Sequence, residues 1–132
     1  MNAMAPIEQV VDMIIVGAGI SGIGMAVHMT RECPGKSFAI LDRRSQIGGT
    51  WDLFRYPGIR SDSDMHTLGF SFAPWKHEKS IADGPAILEY LNEIADEFGL
   101  REKMRFGQKV LSADWDSKTA LWTVVTEQDD AT

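Results

Sequence analysis

The chain has 132 residues, a formal net charge of -6, 44% hydrophobic and 24% charged residues, and one cysteine, Cys33. This is the size and composition of one globular domain, which excludes a disordered or collagen-like chain. The acidic balance argues against nucleic acid as a partner, which would call for a basic face. A single cysteine excludes an internal disulfide framework and a cysteine-based zinc site. No apolar run reaches the roughly 18 residues of a membrane span, and the expected location is cytoplasmic, with peripheral membrane association left open.

The N-terminus lacks the charged and apolar regions of a signal peptide. Residues 1–9 read as a tag remnant and tail, 10–126 as the folded part, and 127–132 as a polar, frayed tail. Val10-Val11-Asp12-Met13-Ile14-Ile15-Val16 is a short apolar run rich in β-branched residues, the mark of a buried parallel strand. A glycine turn comes next. Ile20, Ile23, Val27 and Arg31 then recur at helical spacing, and Cys33-Pro34-Gly35 stops the helix. Ser37 to Asp42 reads as a second buried strand, which completes a βαβ unit. Residues 43–82 show no lasting period, and a loop of that length is usually functional. Asp83 is placed to cap a helix whose apolar face carries Ile87, Leu91, Ile94 and Phe98, with Gly99 at its C-terminus. Strands are expected from Arg105 to Trp115 and from Leu121 to Val125, joined by a turn at Ser117-Lys118-Thr119.

Gly17-Ala18-Gly19-Ile20-Ser21-Gly22 is a G-x-G-x-x-G placed after a strand and at the start of a helix, the context in which the motif has meaning. Gly17 allows a tight turn, Gly19 lets the backbone approach a pyrophosphate, and Gly22 lets helix and strand pack closely. The first-turn N–H groups, joined by the Ser21 hydroxyl, face the anion. Asp42 stands 20 residues beyond Gly22 (42 minus 22). A carboxylate there accepts hydrogen bonds from a ribose diol and repels a 2′-phosphate, which favours FAD or NAD over NADP. Arg43 and Arg44 point the other way, because an arginine after the strand can accommodate a 2′-phosphate. A second glycine pair, Gly48-Gly49, is followed by Thr50 and Trp51. It offers a second backbone approach to a long ligand and an aromatic to cover a planar ring.

The G-A-G-I-S-G turn, Gly48-Gly49-Thr50-Trp51 and Arg55-Tyr56-Pro57-Gly58 resemble class B flavin monooxygenases, the Baeyer–Villiger and flavin-containing enzymes. The run from Trp51 to Thr67, with Ile81-Ala82-Asp83-Gly84 and Ile87-Leu88-Glu89-Tyr90, is similar to the ethionamide-activating subgroup. The resemblance implies an FAD-binding Rossmann-like α/β domain of the glutathione-reductase type, incomplete, with a C-terminal β-hairpin. It places Gly17, Gly19, Ser21, Gly22, Asp42, Arg43, Gly49, Thr50, Trp51, Arg60, Asp62 and Val110 around the cofactor. Asp42 stands where such enzymes often have Glu. Val110 would contact the adenine end through its backbone. Asp62 would orient an active-site arginine that lies beyond residue 132.

The implied chemistry is NADPH-dependent: reduced flavin captures O₂ as a C4a-peroxyflavin and oxygenates a small apolar ketone or thio-compound. The chain has one G-x-G-x-x-G, lacks the F-x-G-x-x-x-H-x-x-x-W fingerprint and lacks a closing Ala-Thr-Gly strand. It therefore reads as an N-terminal piece, inactive alone, whose open sheet edge would favour self-association. The competing reading is an NAD(P)-binding module of a dehydrogenase. His28, His66 and His77 lack metal-ligand spacing, Cys33 has no activating base, and no metal is expected.

Overall fold

The computed structural model describes residues 9–128. Strand β1, Met13–Val16, runs parallel to β2, Phe38–Leu41, in a register that sets Met13 opposite Phe38 and Val16 opposite Leu41. Helix α1, Ile20–Glu32, joins them. A two-residue strand, β3 (Met104–Arg105), pairs parallel with the other side of β2, giving the order β1-β2-β3. All four residues of central β2 are buried. The strand expected over 10–16 is parallel but shorter, and it is not buried throughout: Ile15 is buried whereas Val16 is 64% exposed. Among the described residues β1 has only β2 beside it, so half of its side chains face solvent. Asp12 and Ser37 close the N-terminal ends of the two strands. The Asp12 N–H donates to Ser37 Oγ at 3.0 Å, and the Ser37 N–H donates to Asp12 Oδ2 at 2.8 Å.

Helix α1 lays Ile23, Ala26, Val27 and Met29 on the sheet. This close packing depends on Gly22, where a Cβ would stand 1.9 Å from the Gly17 carbonyl oxygen. The helix ends at Cys33, whose N–H donates to the Met29 carbonyl, in front of the Pro34-Gly35 pair.

The stretch 43–82, expected to lack regular structure, contains two single-turn helices: α2, Thr50–Leu53, and α3, Met65–Leu68. Asp64 caps α3 by accepting the Thr67 N–H at 3.0 Å. The stretch wraps around helix α4, Gly84–Glu97, which starts as expected with Asp83 accepting the Ala86 N–H at 2.9 Å. Helix α4 buries Ile87, Leu91, Ile94 and Ala95, and Gly99 lies just past its end with φ +65°. Its buried Tyr90 holds the wrapping chain by two bonds: the hydroxyl donates to the Ala73 carbonyl at 2.5 Å and accepts the Phe70 N–H at 2.9 Å. The buried Trp75 packs edge-on against the same ring, 5.4 Å between centroids. Burial raises the Tyr90 phenol pKa, partly offset by the Phe70 N–H, so the group stays a donor for Ala73.

Strands β4, Gln108–Asp116, and β5, Leu121–Gln128, form an antiparallel hairpin with an irregularity between Val110 and Ser112. Arg105, expected to open this strand region, belongs instead to the parallel sheet, and Gly107 at φ +67° separates the two. Trp115 and Trp122 face each other across the hairpin with centroids 5.6 Å apart, and both are about half exposed or more. Glu127 and Gln128 are not frayed: they continue β5 opposite Lys109 and Gln108, where Glu127 meets a residue of opposite charge. Asp129 to Thr132, the rest of the expected tail, and the N-terminal residues up to Glu8 lie outside the described residues.

This packing sets two expectations for stability. Gly22→Ala forces a Cβ onto a backbone carbonyl and should lower unfolding free energy by more than about 3 kcal/mol, measured by urea unfolding; a loss below about 1 kcal/mol contradicts the packing. Tyr90→Phe leaves the Ala73 carbonyl and the Phe70 N–H without their partner and should cost about 1–3 kcal/mol. An unchanged urea midpoint would show that the hydroxyl does not hold the wrapping chain.

Candidate functional site

The glycine turn leaves β1 directly. The Gly17 N–H donates to the Leu41 carbonyl at 2.7 Å, which ties the start of the turn to the end of β2. The α1 ladder begins with the Ile23 N–H donating to the Gly19 carbonyl at 3.0 Å. The N–H groups of Ile20, Ser21 and Gly22 precede that first bond, so they are available to an acceptor outside the helix. Ser21 is exposed at this end. The positive end of the helix dipole and these amides together suit an anionic group.

Asp42, half-buried at the end of β2, sits against the same turn. Its Oδ2 accepts the Ala18 N–H at 2.8 Å and its Oδ1 accepts the Arg44 N–H at 2.8 Å. Each carboxylate oxygen has a second lone pair, so both keep acceptor capacity for a ribose diol. The Asp42 backbone also anchors the start of the hairpin. Its N–H donates to the Arg105 carbonyl at 3.1 Å, and its carbonyl accepts the Gln108 N–H at 2.9 Å. Strand β4 therefore begins beside the acid, with half-buried Val110 two residues farther along it.

The second glycine pair meets the first turn. The Gly48 N–H donates to the Ala18 carbonyl at 2.9 Å. A Cβ on Gly49 would lie 3.1 Å from the Gly19 Cα, and one on Gly19 would lie 3.6 Å from the Gly49 Cα. Two bare backbone segments thus run against each other, and no side chain intervenes. Thr50, exposed at the loop surface, and Trp51, packed against the core, open α2 immediately after this contact.

The residue that fastens this loop is not among those the sequence singles out. Asp52 is 8% exposed and bonds two arginines. Its Oδ2 accepts from Arg44 Nε at 2.9 Å and Nη2 at 2.7 Å, and its Oδ1 accepts from Arg55 Nη2 at 2.7 Å. Arg55 Nε also donates to the Asp52 carbonyl at 2.9 Å. Burial acts to raise the Asp52 pKa, but the Arg44 and Arg55 bonds outweigh it and hold the carboxyl below its ordinary value. Arg55 stands three positions from Asp52, a spacing that suits a local ion pair, but nothing in spacing or periodicity marks the partnership with Arg44 eight positions away; only the fold brings the three together. Arg43, by contrast, is exposed.

Arg60, Ser61 and Asp62 form a separate strip. Arg60 bridges Asp83 in antiparallel fashion. The Ser61 N–H donates to the Ala82 carbonyl at 2.8 Å, and its buried hydroxyl accepts the Ala82 N–H at 3.1 Å. Asp62 is exposed, and among the described residues no hydrogen bond or ion pair joins it to the glycine turn or to Asp42. A cleft of about 300 Å³ is lined by Trp51, Phe54 to Ile59, Asp83 to Pro85 and Leu88. The described residues hold no cluster suited to a metal ion. No helix among them is long and apolar enough to cross a membrane.

A sequence profile for the NAD(P)-binding Rossmann-like domain matches residues 15–93. The FAD-containing monooxygenase EthA of Mycolicibacterium smegmatis is 58% identical over 118 residues, which is 89% of this chain and 24% of that protein. The probable FAD-binding monooxygenase AlmA of an Acinetobacter species is 55% identical over 91% of this chain and 24% of its own length. Among solved structures, an oxidized steroid monooxygenase bound to NADP superposes with a TM-score of 0.81 at 38% identity, over 91% of this chain and 24% of that one. A cyclohexanone monooxygenase mutant from Rhodococcus sp. Phi1 bound to NADP+ gives 0.80 at 37%, over 91% and 24%. The chain spans about a quarter of the length of the curated relatives it matches. By both sequence and fold, the chain belongs to the NAD(P)-binding Rossmann-like domain family and is homologous to the N-terminal quarter of the FAD-containing monooxygenases.

Proposed function

We propose that this chain is the FAD-binding portion of an NADPH-dependent flavoprotein monooxygenase. The observation that carries the reading is the contact of Gly19 with Gly49, beside Asp42 and the first-turn amides of α1. A Cβ on Gly19 would stand in the approach of a pyrophosphate, one on Gly49 would press on the Gly19 backbone, and the donor set suits a phosphate. The residues present therefore fit the cofactor that the relatives' names carry.

In this reading the amides of Ile20, Ser21 and Gly22 take the pyrophosphate and Asp42 takes the ribose diol. The backbone near Val110 borders the adenine, because β4 starts from a bond to Asp42. Gly49, Thr50 and Trp51 line the path toward the flavin end. Arg60 and Asp62 flank the nicotinamide side, where Asp62 would orient an arginine supplied from elsewhere in the protein. Bound flavin supplies hydride acceptance and oxygen activation. This chain's residues bind and orient it, and none of them attacks substrate. The oxygenated substrate would be a small apolar ketone or thio-compound, with O₂ and NADPH as co-substrates. The NAD(P)-module reading is less favoured: Asp42 and the capture of the Arg44 side chain by Asp52 speak against a 2′-phosphate and so against NADP, and the relatives' names carry FAD, which speaks against NAD.

The direct test is titration of FAD with the chain, read as quenching of flavin fluorescence. Saturable quenching is expected, and its absence would sink the cofactor assignment. Two variants localise the site. Asp42→Asn replaces one acceptor oxygen by a donor and should weaken FAD binding about tenfold or more; unchanged affinity would remove Asp42 from the ribose. Gly19→Ala puts its Cβ at ordinary contact distance from Gly49, 3.6 Å, so the melting temperature should shift by only a few degrees. FAD affinity should nevertheless fall about tenfold or more, because the methyl occupies the pyrophosphate approach. A variant that binds FAD normally would contradict that placement.

A further inference from the structure

The Arg44–Asp52–Arg55 cluster is built like a functional device yet belongs to none of the roles above. A buried carboxylate with both oxygens engaged by guanidinium groups is costly to assemble unless its geometry is complete, and here it is complete. The place of Arg44 gives the cluster its meaning. Its N–H donates to Asp42 Oδ1 at 2.8 Å, so its backbone adjoins the carboxylate assigned to the ribose. An arginine at that point of a Rossmann unit is what accommodates a 2′-phosphate when the nucleotide carries one. Here the Arg44 side chain turns away and gives two of its donors to Asp52.

Resting on the dinucleotide reading proposed above, we infer that Asp52 is a specificity-determining residue: by capturing Arg44 it withdraws the guanidinium next to the ribose acid and so excludes 2′-phosphorylated nucleotides. Asp42 repels the phosphate, and Asp52 removes the cation that would offset that repulsion. The discrimination matters in a protein with a solved neighbour in complex with both FAD and NADP, since the two share an adenosine pyrophosphate and differ at the 2′ position. The same ion pairs carry the second effect of the cluster. They span from the residue after Arg43 to the loop after Trp51, and so tie the end of β2 to the Gly48–Gly49 contact. Arg43 is exposed and makes no part of this arrangement.

The experiment is calorimetric titration of the full chain with ADP and with 2′-phospho-ADP, beside the FAD titration. The quantity read is the ratio of the two affinities, which general loosening of the fold would not move. The unaltered chain should prefer ADP. Asp52→Ala should shift the ratio toward 2′-phospho-ADP by about tenfold, the scale of one charge-assisted hydrogen bond. Adding Arg44→Met to that variant should return the ratio to its starting value. Arg44→Met alone should leave the ratio within about twofold, since its guanidinium is already withdrawn, and this variant keeps the proposal testable should Asp52→Ala fail to fold. An unmoved ratio in folded Asp52→Ala overturns the proposal, as does a deeper preference for ADP in Arg44→Met alone. A preference of the unaltered chain for 2′-phospho-ADP, or binding of neither nucleotide, also overturns it. Failure to bind FAD with the ADP ratios as expected sinks the flavin reading and leaves this one standing. FAD binding with an unmoved ratio does the reverse.

Discussion

Two stretches of backbone, one at Gly19 and one at Gly49, approach each other with no side chain between them, and much of the chain serves to make that approach stable. A Cβ on Gly49 would stand 3.1 Å from the Gly19 Cα, tighter than side chains ordinarily tolerate. The first stretch is positioned by the βαβ unit, where Gly22 lets α1 close on the turn that leaves β1. The second is positioned by one bond from the Gly48 N–H to the Ala18 carbonyl and by the Asp52 ion pairs. Ala18 joins the two: its carbonyl accepts from Gly48 and its N–H is held by Asp42. Asp42, the first glycine turn and the second glycine pair are thereby one connected piece.

Electrostatics divides along the same line. In the proposed reading the anion is met by backbone amides and a helix end, so the net charge of -6 places no demand on the site. The charged side chains nearby are occupied locally. Asp42 holds backbone N–H groups, and Asp52 is enclosed by two guanidinium groups with its pKa kept down by them against the push of burial. Protonating Asp52 would release Arg44 and leave Arg55 only its bond to the Asp52 carbonyl. The loop should therefore be at its firmest above the ordinary carboxylate range and loosen as acid reaches the depressed pKa.

The parts legible in the sequence are those fixed by near neighbours. The glycine spacing, the apolar run before it, Asp42 twenty residues on, and the Asp83 cap of α4 are all local signals, and each stands where the pattern places it. The apolar run overstates the length of β1, because composition does not say how many strands flank it. β3 is two residues long and carries no period to detect. The 43–82 stretch shows no period because its order comes from distant partners, chiefly Tyr90 gripping Phe70 and Ala73, and Ser61 gripping Ala82. The polarity of Glu127 and Gln128 suggests fraying, yet strand pairing across to Lys109 and Gln108 overrides composition. Asp52 is invisible for the same reason as the loop: three charged residues acquire a joint role only once the chain folds back.

The central claim is that both glycine segments serve one ligand. Amide chemical-shift mapping of the isotopically labelled chain during addition of FAD tests it residue by residue. The amides of Ile20, Ser21 and Gly22 should shift together with those of Gly49, Thr50 and Trp51, along one saturation curve. Shifts confined to one segment, or centred on the cleft around Tyr56 and Pro57 with the glycine turn unmoved, would contradict it.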